Sequence, residues 1–284
     1  MAVFIRACRP RQWTKNLLVL AAPCAAGVID RPLVAARVIG AFAAMCLLSS
    51  ATYLLNDVRD RHQDRLHPKK RERPIASGEI SVGTALAAAV GLAVGGLALA
   101  SAIDVKLGAV GFAYLGITVG YSLWLRQVII ADVVTIASGF VLRALAGGVA
   151  TDVYLSRWFV VVTGCSAIFL VTAKRYAELR EHSPAAATRN TLRRYSARGL
   201  QLTLVAAASM SSVAYCGWAF TRPAHVWWYA VSIVPLVGWL GRYAVLVQAG
   251  AGQAPEDLVL RDRMLLVLSL AWTLLFLAGV YVSQ

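Results

Sequence analysis

The feature that most constrains this chain is a series of apolar stretches that no charge interrupts. Residues 38–56, 82–102, 107–124, 199–220 and 264–282 contain no Asp, Glu, Lys or Arg. A helix of about 18 or more such residues is long enough to cross the hydrocarbon core of a bilayer. With 284 residues, of which 59% are hydrophobic, the composition is that of a polytopic membrane protein rather than a soluble domain. The pattern predicts an all-α integral membrane protein with nine transmembrane helices at 16–36, 38–56, 82–102, 107–124, 128–150, 157–174, 199–220, 226–247 and 264–282. Asp30, Arg31 and Pro32 make the first of these the weakest.

The charge is unevenly distributed. A net charge of +14 on a soluble chain suggests nucleic acid. Here the positive-inside bias of membrane proteins accounts for it, and no nucleic-acid partner is expected. With the N-terminus in the cytoplasm, 22 Lys and Arg fall on the cytoplasmic side, five on the other, and Arg143 inside a span. This predicts a multi-pass protein of the plasma (inner) membrane, in contact with membrane lipids, with its chemistry facing the cytoplasm. The whole chain, 1–284, reads as one polytopic domain. Its two long cytoplasmic loops, 57–81 and 174–198, carry most of the polar groups. The basic segment ahead of Leu17 superficially fits a signal peptide, but Pro10, Gln12 and Trp13 suit a retained first helix better. The five cysteines show no metal-ligand or disulfide spacing and read as small buried hydrophobes. The assembly state is left open, a homo-oligomer included.

Polar chemistry concentrates where the second span ends. In "NDVRDRHQD", residues 56–64, Asp57, Asp60 and Asp64 stand at i, i+3 and i+7. On a helix they lie within roughly 60° of one another. Three carboxylates on one face repel unless something cationic joins them. One account is a solvated helix end helped by an Asp57–Arg61 pair. The other is a divalent cation site: carboxylates at one-turn spacing, with the Asn56 amide beside them, suit Mg²⁺, which shares its shell with phosphate oxygens. Seven basic residues from Arg59 to Arg73 surround the acids, as a diphosphate would require.

These motifs carry a resemblance. "NDVRDRHQD" followed by "RPIASGEIS" resembles the first aspartate-rich motif and following loop of the UbiA superfamily of intramembrane prenyltransferases. "YSLWLR" (121–126) and "VLRALAGGVA", which contains Arg143, are similar to further points of that family. The resemblance implies a nine-helix bundle with a cytoplasmic mouth. It also implies that Asn56, Asp57, Asp60 and Asp64 hold Mg²⁺ and a diphosphate, the three aspartates being the catalytic centre. One departure stands out. Typical members carry a second motif of DxxxD kind after helix 6, where this chain has "AKRYAELRE" (173–181), largely cationic and with Glu178 its main acid. The variant resembles the phosphoribosyltransferase branch of the superfamily, as do "RPRQWTKN" (9–16) and "EDLVLRDR" (256–263).

That branch implies transfer of 5-phosphoribose from phosphoribosyl diphosphate (PRPP) to a polyprenyl phosphate, which feeds a lipid-linked arabinose donor for cell-wall arabinan. On this reading Lys69, Arg73, Lys174, Arg175 and Tyr176 contact phosphate or ribose, and Lys15 faces the acceptor phosphate. Tyr121, Arg126 and Arg143 complete the substrate-binding set. Arg143 has a second reading, a structural pair with Asp132. The rivals are a prenyltransferase using an isoprenyl diphosphate donor and a non-enzymatic transporter or lipid-binding protein. The first lacks its second motif here, and the second does not need the aspartate cluster.

Overall fold

The computed structural model describes residues 2–68, 70–123, 129–180, 195–221, 226–251 and 255–282. Among the described residues there is no strand. The helices are α1 (Ala2–Ala7), α2 (Ala21–Ala25), α3 (Pro32–Arg65), α4 (Val82–Ile103), α5 (Val105–Leu123), α6 (Ile129–Ala150), α7 (Arg157–Arg180), α8 (Ala197–Phe220), α9 (Val226–Gln248), α10 (Pro255–Arg261) and α11 (Arg263–Tyr281). Seven of them, α3, α4, α6, α7, α8, α9 and α11, are long and apolar enough to cross a membrane. α5 is helical over 19 residues but falls outside that set.

The largest departure from expectation is the first span. Residues 16–36 do not form one helix. Pro10–Leu20 is instead a 3₁₀ segment of 11 residues, followed by the five-residue α2 and then Pro32 at the start of α3. Runs of 3₁₀ helix beyond a single turn are uncommon. Proline at positions 10, 23 and 32 removes backbone donors and breaks the register repeatedly. Among the described residues the first expected span is not one of the seven helices long and apolar enough to cross a membrane.

Both predicted loops begin as helix. α3 runs on through the aspartate cluster to Arg65, and α7 carries Lys174, Arg175 and Tyr176 and continues to Arg180. At 34 residues, α3 is about 51 Å long, against a hydrocarbon core of about 30 Å. Its polar end extends past a single apolar thickness. Local caps fit the boundaries: Ser81 accepts a hydrogen bond from the Thr84 N–H at the start of α4, and Asp262 accepts one from the Leu265 N–H at the start of α11.

The chain divides into two compact units. The first comprises residues 1–125 and 142–154, the second 126–141 and 155–284. The first is centred on Val19, Met45, Leu48, Leu107 and Tyr114, all buried. Gly147 is required here. A Cβ at that position would lie 1.8 Å from the Val19 carbonyl oxygen, so only glycine lets the 3₁₀ backbone approach α6 so closely. The second unit has a core of Phe169, Leu200, Leu204, Tyr243 and Leu265. It also holds an aromatic cluster in which Trp218 stacks on Phe276 and meets Tyr229 edge-on. Large apolar side chains such as Val90, Val94, Val267 and Leu270 are exposed along spanning helices. A face of that kind is expected where lipid is the solvent and is a liability in water.

Candidate active site

The aspartate cluster lies within the first unit. Asp57 and Asp64 are buried, 3% and 4% exposed, while Asp60 is half-buried. Two carboxylates so placed must be paired, because desolvated charge is costly. Arg73 Nη1 donates to Asp57 Oδ1 at 3.2 Å and to Asp64 Oδ2 at 2.6 Å. One guanidinium nitrogen thus bridges carboxylates nearly two helical turns apart. A second guanidinium, from Arg9, also donates to Asp57 and lies 5.4 Å from the Tyr53 ring centre. Asn56 Oδ1 accepts a hydrogen bond from the Ser122 hydroxyl.

The segment "RPIASG" is what brings Arg73 home. Arg65, on the last turn of α3, donates to the Ala76 carbonyl at 2.9 Å. The Ser77 N–H returns to the Arg73 carbonyl at 2.8 Å, and Ile75 and Ala76 are buried. Gly78 follows with φ +89, a left-handed conformation that glycine adopts without strain. The loop folds back on the helix that precedes it and presents Arg73 to the acids.

Arg9 was not among the residues singled out from sequence. It sits in the left-handed region, at φ 55 and ψ 64. A non-glycine residue there is strained by about 1–2 kcal/mol, and such strain concentrates at functional positions. Its place before Pro10 did not signal this, since a pre-proline residue is ordinarily driven to extended conformations.

Arg143 is buried in the first unit at 5% exposed. Its Nε donates to Asn16 Oδ1 at 2.7 Å and its Nη2 to the Tyr114 hydroxyl at 2.8 Å, with the guanidinium 4.8 Å from the Tyr114 ring centre. The expected alternative partner, Asp132, is eleven residues away on the same helix, about 16 Å along the axis. It pairs elsewhere. Asn16 in turn donates to Cys46 Sγ and Ser49 Oγ, both at 3.2 Å.

In the second unit the three residues of the "KRY" motif meet three different surroundings. Arg175, 4% exposed, donates through Nε and Nη2 to both oxygens of Asp132, at 2.6 and 3.2 Å, and through Nη1 to Glu178 at 2.6 Å. The Tyr195 hydroxyl donates to the same Asp132 carboxylate at 3.1 Å. Tyr176 is 5% exposed, and its hydroxyl accepts a hydrogen bond from Gln201 at 2.8 Å. Lys174 is half-exposed and makes no hydrogen bond or ion pair among the described residues. Of the three, it alone is only partly buried. Asp132 supplies an acid to this segment from another helix, which sequence reasoning had set against Arg143.

The remaining expected residues are less informative. Lys15 and Tyr121 are half-buried, each with interactions of its own. Lys69 and Arg126 lie outside the described residues.

Among the described residues no group of three or more His, Cys, Asp and Glu side chains is arranged to hold a metal. The donor set nevertheless fits one. Asp57 and Asp64, whose oxygens converge on Arg73 Nη1, are the residues that would hold a divalent cation, for which hard carboxylate oxygens are suited.

Residues 17–268 match the UbiA prenyltransferase family. The decaprenyl-phosphate phosphoribosyltransferase of Mycolicibacterium smegmatis is 40% identical over 98% of this chain and 92% of its own length. That of Mycobacterium tuberculosis is 41% identical over 96% and 92%. A UbiA homolog from Archaeoglobus fulgidus, solved bound to GPP and Mg²⁺, superposes with a TM-score of 0.75 at 19% identity, covering 99% of each chain. The digeranylgeranylglyceryl phosphate synthase structure gives 0.71 at 13% identity, covering 98% of each; both likenesses speak to the fold. Through the family match and the relatives near 40% identity, the chain belongs to the UbiA prenyltransferase family.

Proposed function

We propose that this protein transfers 5-phosphoribose from PRPP to decaprenyl phosphate or a similar polyprenyl phosphate, releasing diphosphate. The product would feed synthesis of a lipid-linked arabinose donor for cell-wall arabinan. The supporting observation is the convergence of Asp57 and Asp64 on one cation, in a chain about 40% identical to decaprenyl-phosphate phosphoribosyltransferases over nearly its whole length.

In the reaction the bond from ribose C1 to the diphosphate oxygen breaks and a bond from C1 to an acceptor phosphate oxygen forms. Asp57 and Asp64, with Asn56 and Asp60 beside them, would hold Mg²⁺. When bound, the metal neutralises charge building on the leaving diphosphate. Arg9 and Arg73 neutralise the aspartates in the unloaded site. The same guanidiniums would offer a substrate's phosphate oxygens short charge-assisted hydrogen bonds. The acceptor phosphate is already an anion, so its attack does not need a strong base. Lys174 is the candidate of α7 for a substrate phosphate. Arg175 keeps Asp132 and Glu178 in place.

On this reading the protein is one polytopic domain of the plasma membrane with its N-terminus and site in the cytoplasm. A single cysteine introduced at position 182 would then react with an impermeant reagent only from the cytoplasmic side; labelling from outside reverses the topology. The function is tested with purified protein, Mg²⁺, labelled PRPP and decaprenyl phosphate, following label into the lipid phase. Turnover of a prenyl diphosphate with no use of PRPP discards the proposal in favour of an isoprenyl donor.

A further inference from the structure

Within the first unit, residues 10–20 form the 3₁₀ segment that follows Arg9. A 3₁₀ helix has three residues per turn, so side chains at i, i+3 and i+6 stand above one another. The burial of this segment keeps that period. Asn16 and Val19 are fully buried and Trp13 is half-buried, whereas Arg11, Thr14 and Leu17 are exposed. On an α-helix, three-residue steps drift by about 60° each, and the three inner residues would not share a face.

Each inner residue has a fixed seat. Trp13 Nε1 donates to Ser50 Oγ of α3 at 3.1 Å. Asn16 donates to Cys46 and Ser49 of α3, and its Oδ1 accepts from Arg143 Nε of α6. The Val19 carbonyl lies against Gly147, one turn beyond Arg143 on α6. Asn16 is the middle seat and the one bonded to both helices. Arg143 is itself steadied through Nη2 by the Tyr114 hydroxyl of α5, so its Nε is aimed at one point. A charge buried on a spanning helix is costly and marks functional machinery.

What depends on this register is Arg9. Its left-handed backbone is strained, and strained residues persist only where their surroundings over-determine them. The segment that begins at Pro10 supplies that constraint from the C-terminal side. On the other side, the Cys8 carbonyl oxygen lies 3.2 Å from the same Ser50 hydroxyl that seats Trp13. We propose that Arg143 is a positioning residue: through Asn16 it locks the period-three face of residues 10–20 onto α3 and α6, and the locked segment holds Arg9 against Asp57. Arg143 thus serves the reaction without touching substrate. The inference rests on the reading of Asp57 as part of the substrate site.

The test begins with hydrogen exchange of the purified full-length protein in detergent, read by mass spectrometry. Arg143→Met replaces the buried cation with an apolar chain, a change that folds tolerate, and Asn16→Ala removes the acceptor from the other side. In both variants the amides of residues 9–20 should exchange about ten- to a hundredfold faster, the equivalent of one charge-assisted hydrogen bond, with residues 226–248 and 263–281 unchanged. Turnover of PRPP should fall by a similar factor. Arg9→Ala supplies the readout that a packing role would not move: adding Arg143→Met to it should cost no further turnover. Unchanged exchange at residues 9–20 overturns the proposal, as does faster exchange in every helix of both variants. Multiplication of the Arg9→Ala and Arg143→Met losses also overturns it, since Arg143 would then act on its own. The exchange measurement needs no substrate. Faster exchange confined to residues 9–20, in a protein that ignores PRPP, supports the lock on the segment and discards the proposed function alone.

Discussion

Removing Arg175 separates a structural cation from a substrate-binding one. Its guanidinium satisfies both oxygens of Asp132 and one of Glu178, and Asp132 is only 1% exposed. Arg175→Ala strands that carboxylate without its cation. Breaking a buried pair in this way costs about 3–5 kcal/mol, enough to lower the melting temperature by about ten degrees. The adjacent Lys174 has no such commitment, so Lys174→Ala should change stability by less than about 0.5 kcal/mol. It should instead raise the PRPP concentration needed for turnover about ten- to a hundredfold, since one charge-assisted contact contributes roughly 1.5–3 kcal/mol. A third variant closes the argument. Replacing both partners, Arg175→Met with Asp132→Leu, removes the stranded charge and should recover most of the lost stability. The measurements are thermal unfolding of purified protein in detergent and separate titrations of PRPP and decaprenyl phosphate. If Arg175→Ala unfolds like wild type while its PRPP requirement rises steeply, the assignment is wrong and Arg175 is a substrate ligand.

Other outcomes follow from the same geometry. Asp57→Ala, Asp60→Ala and Asp64→Ala should each lose most turnover at matched expression, and three variants with wild-type activity would remove the metal assignment. Gly147→Ala should cost about 1–3 kcal/mol by overpacking, because the obstacle is the Val19 backbone; Gly91→Ala, with nothing within 4 Å of the added carbon, is the matched control and should be neutral or mildly stabilising. The Arg242 side chain and the Leu265 N–H hold the Asp262 carboxyl below its usual range. A depressed carboxylate stabilises the fold above the unfolded value of about 3.9 and loses that contribution as pH falls through the lower folded value. The stability advantage of wild type over Asp262→Asn, followed by unfolding scans, should therefore hold from neutral pH to about 4 and vanish below it.

Much of the architecture was legible because bilayer thickness and helix rise together fix the length of an apolar run. Residues 82–102, 199–220 and 264–282 became α4, α8 and α11 with shifts of one or two residues. The stretch 16–36 misled because hydrophobic content was weighed above Pro23 and Pro32, each of which lacks a backbone donor. The aspartate face was visible locally, since one helix carries all three acids. Of its cations, Arg73, 16 residues from Asp57, was visible in the basic run that follows the acids, and Arg9, 48 residues away, was not. The "KRY" motif was read as three similar ligands because local sequence does not show that Asp132, 43 residues earlier, takes the middle one.

Arg9 leaves a mark on how this position tolerates change. Its backbone adopts a conformation that glycine occupies freely, and its side chain supplies a cation that glycine lacks. Glycine relieves the backbone strain, and Asp57 keeps its pair with Arg73, so folding tolerates at this position a loss that chemistry does not. In a saturation library sorted for protein abundance, Arg9→Gly should rank above the other uncharged substitutions. The same library sorted for turnover should place it with them near the bottom. A disagreement of that kind between two selections identifies a residue retained for what it does to substrate, in spite of what it does to the chain.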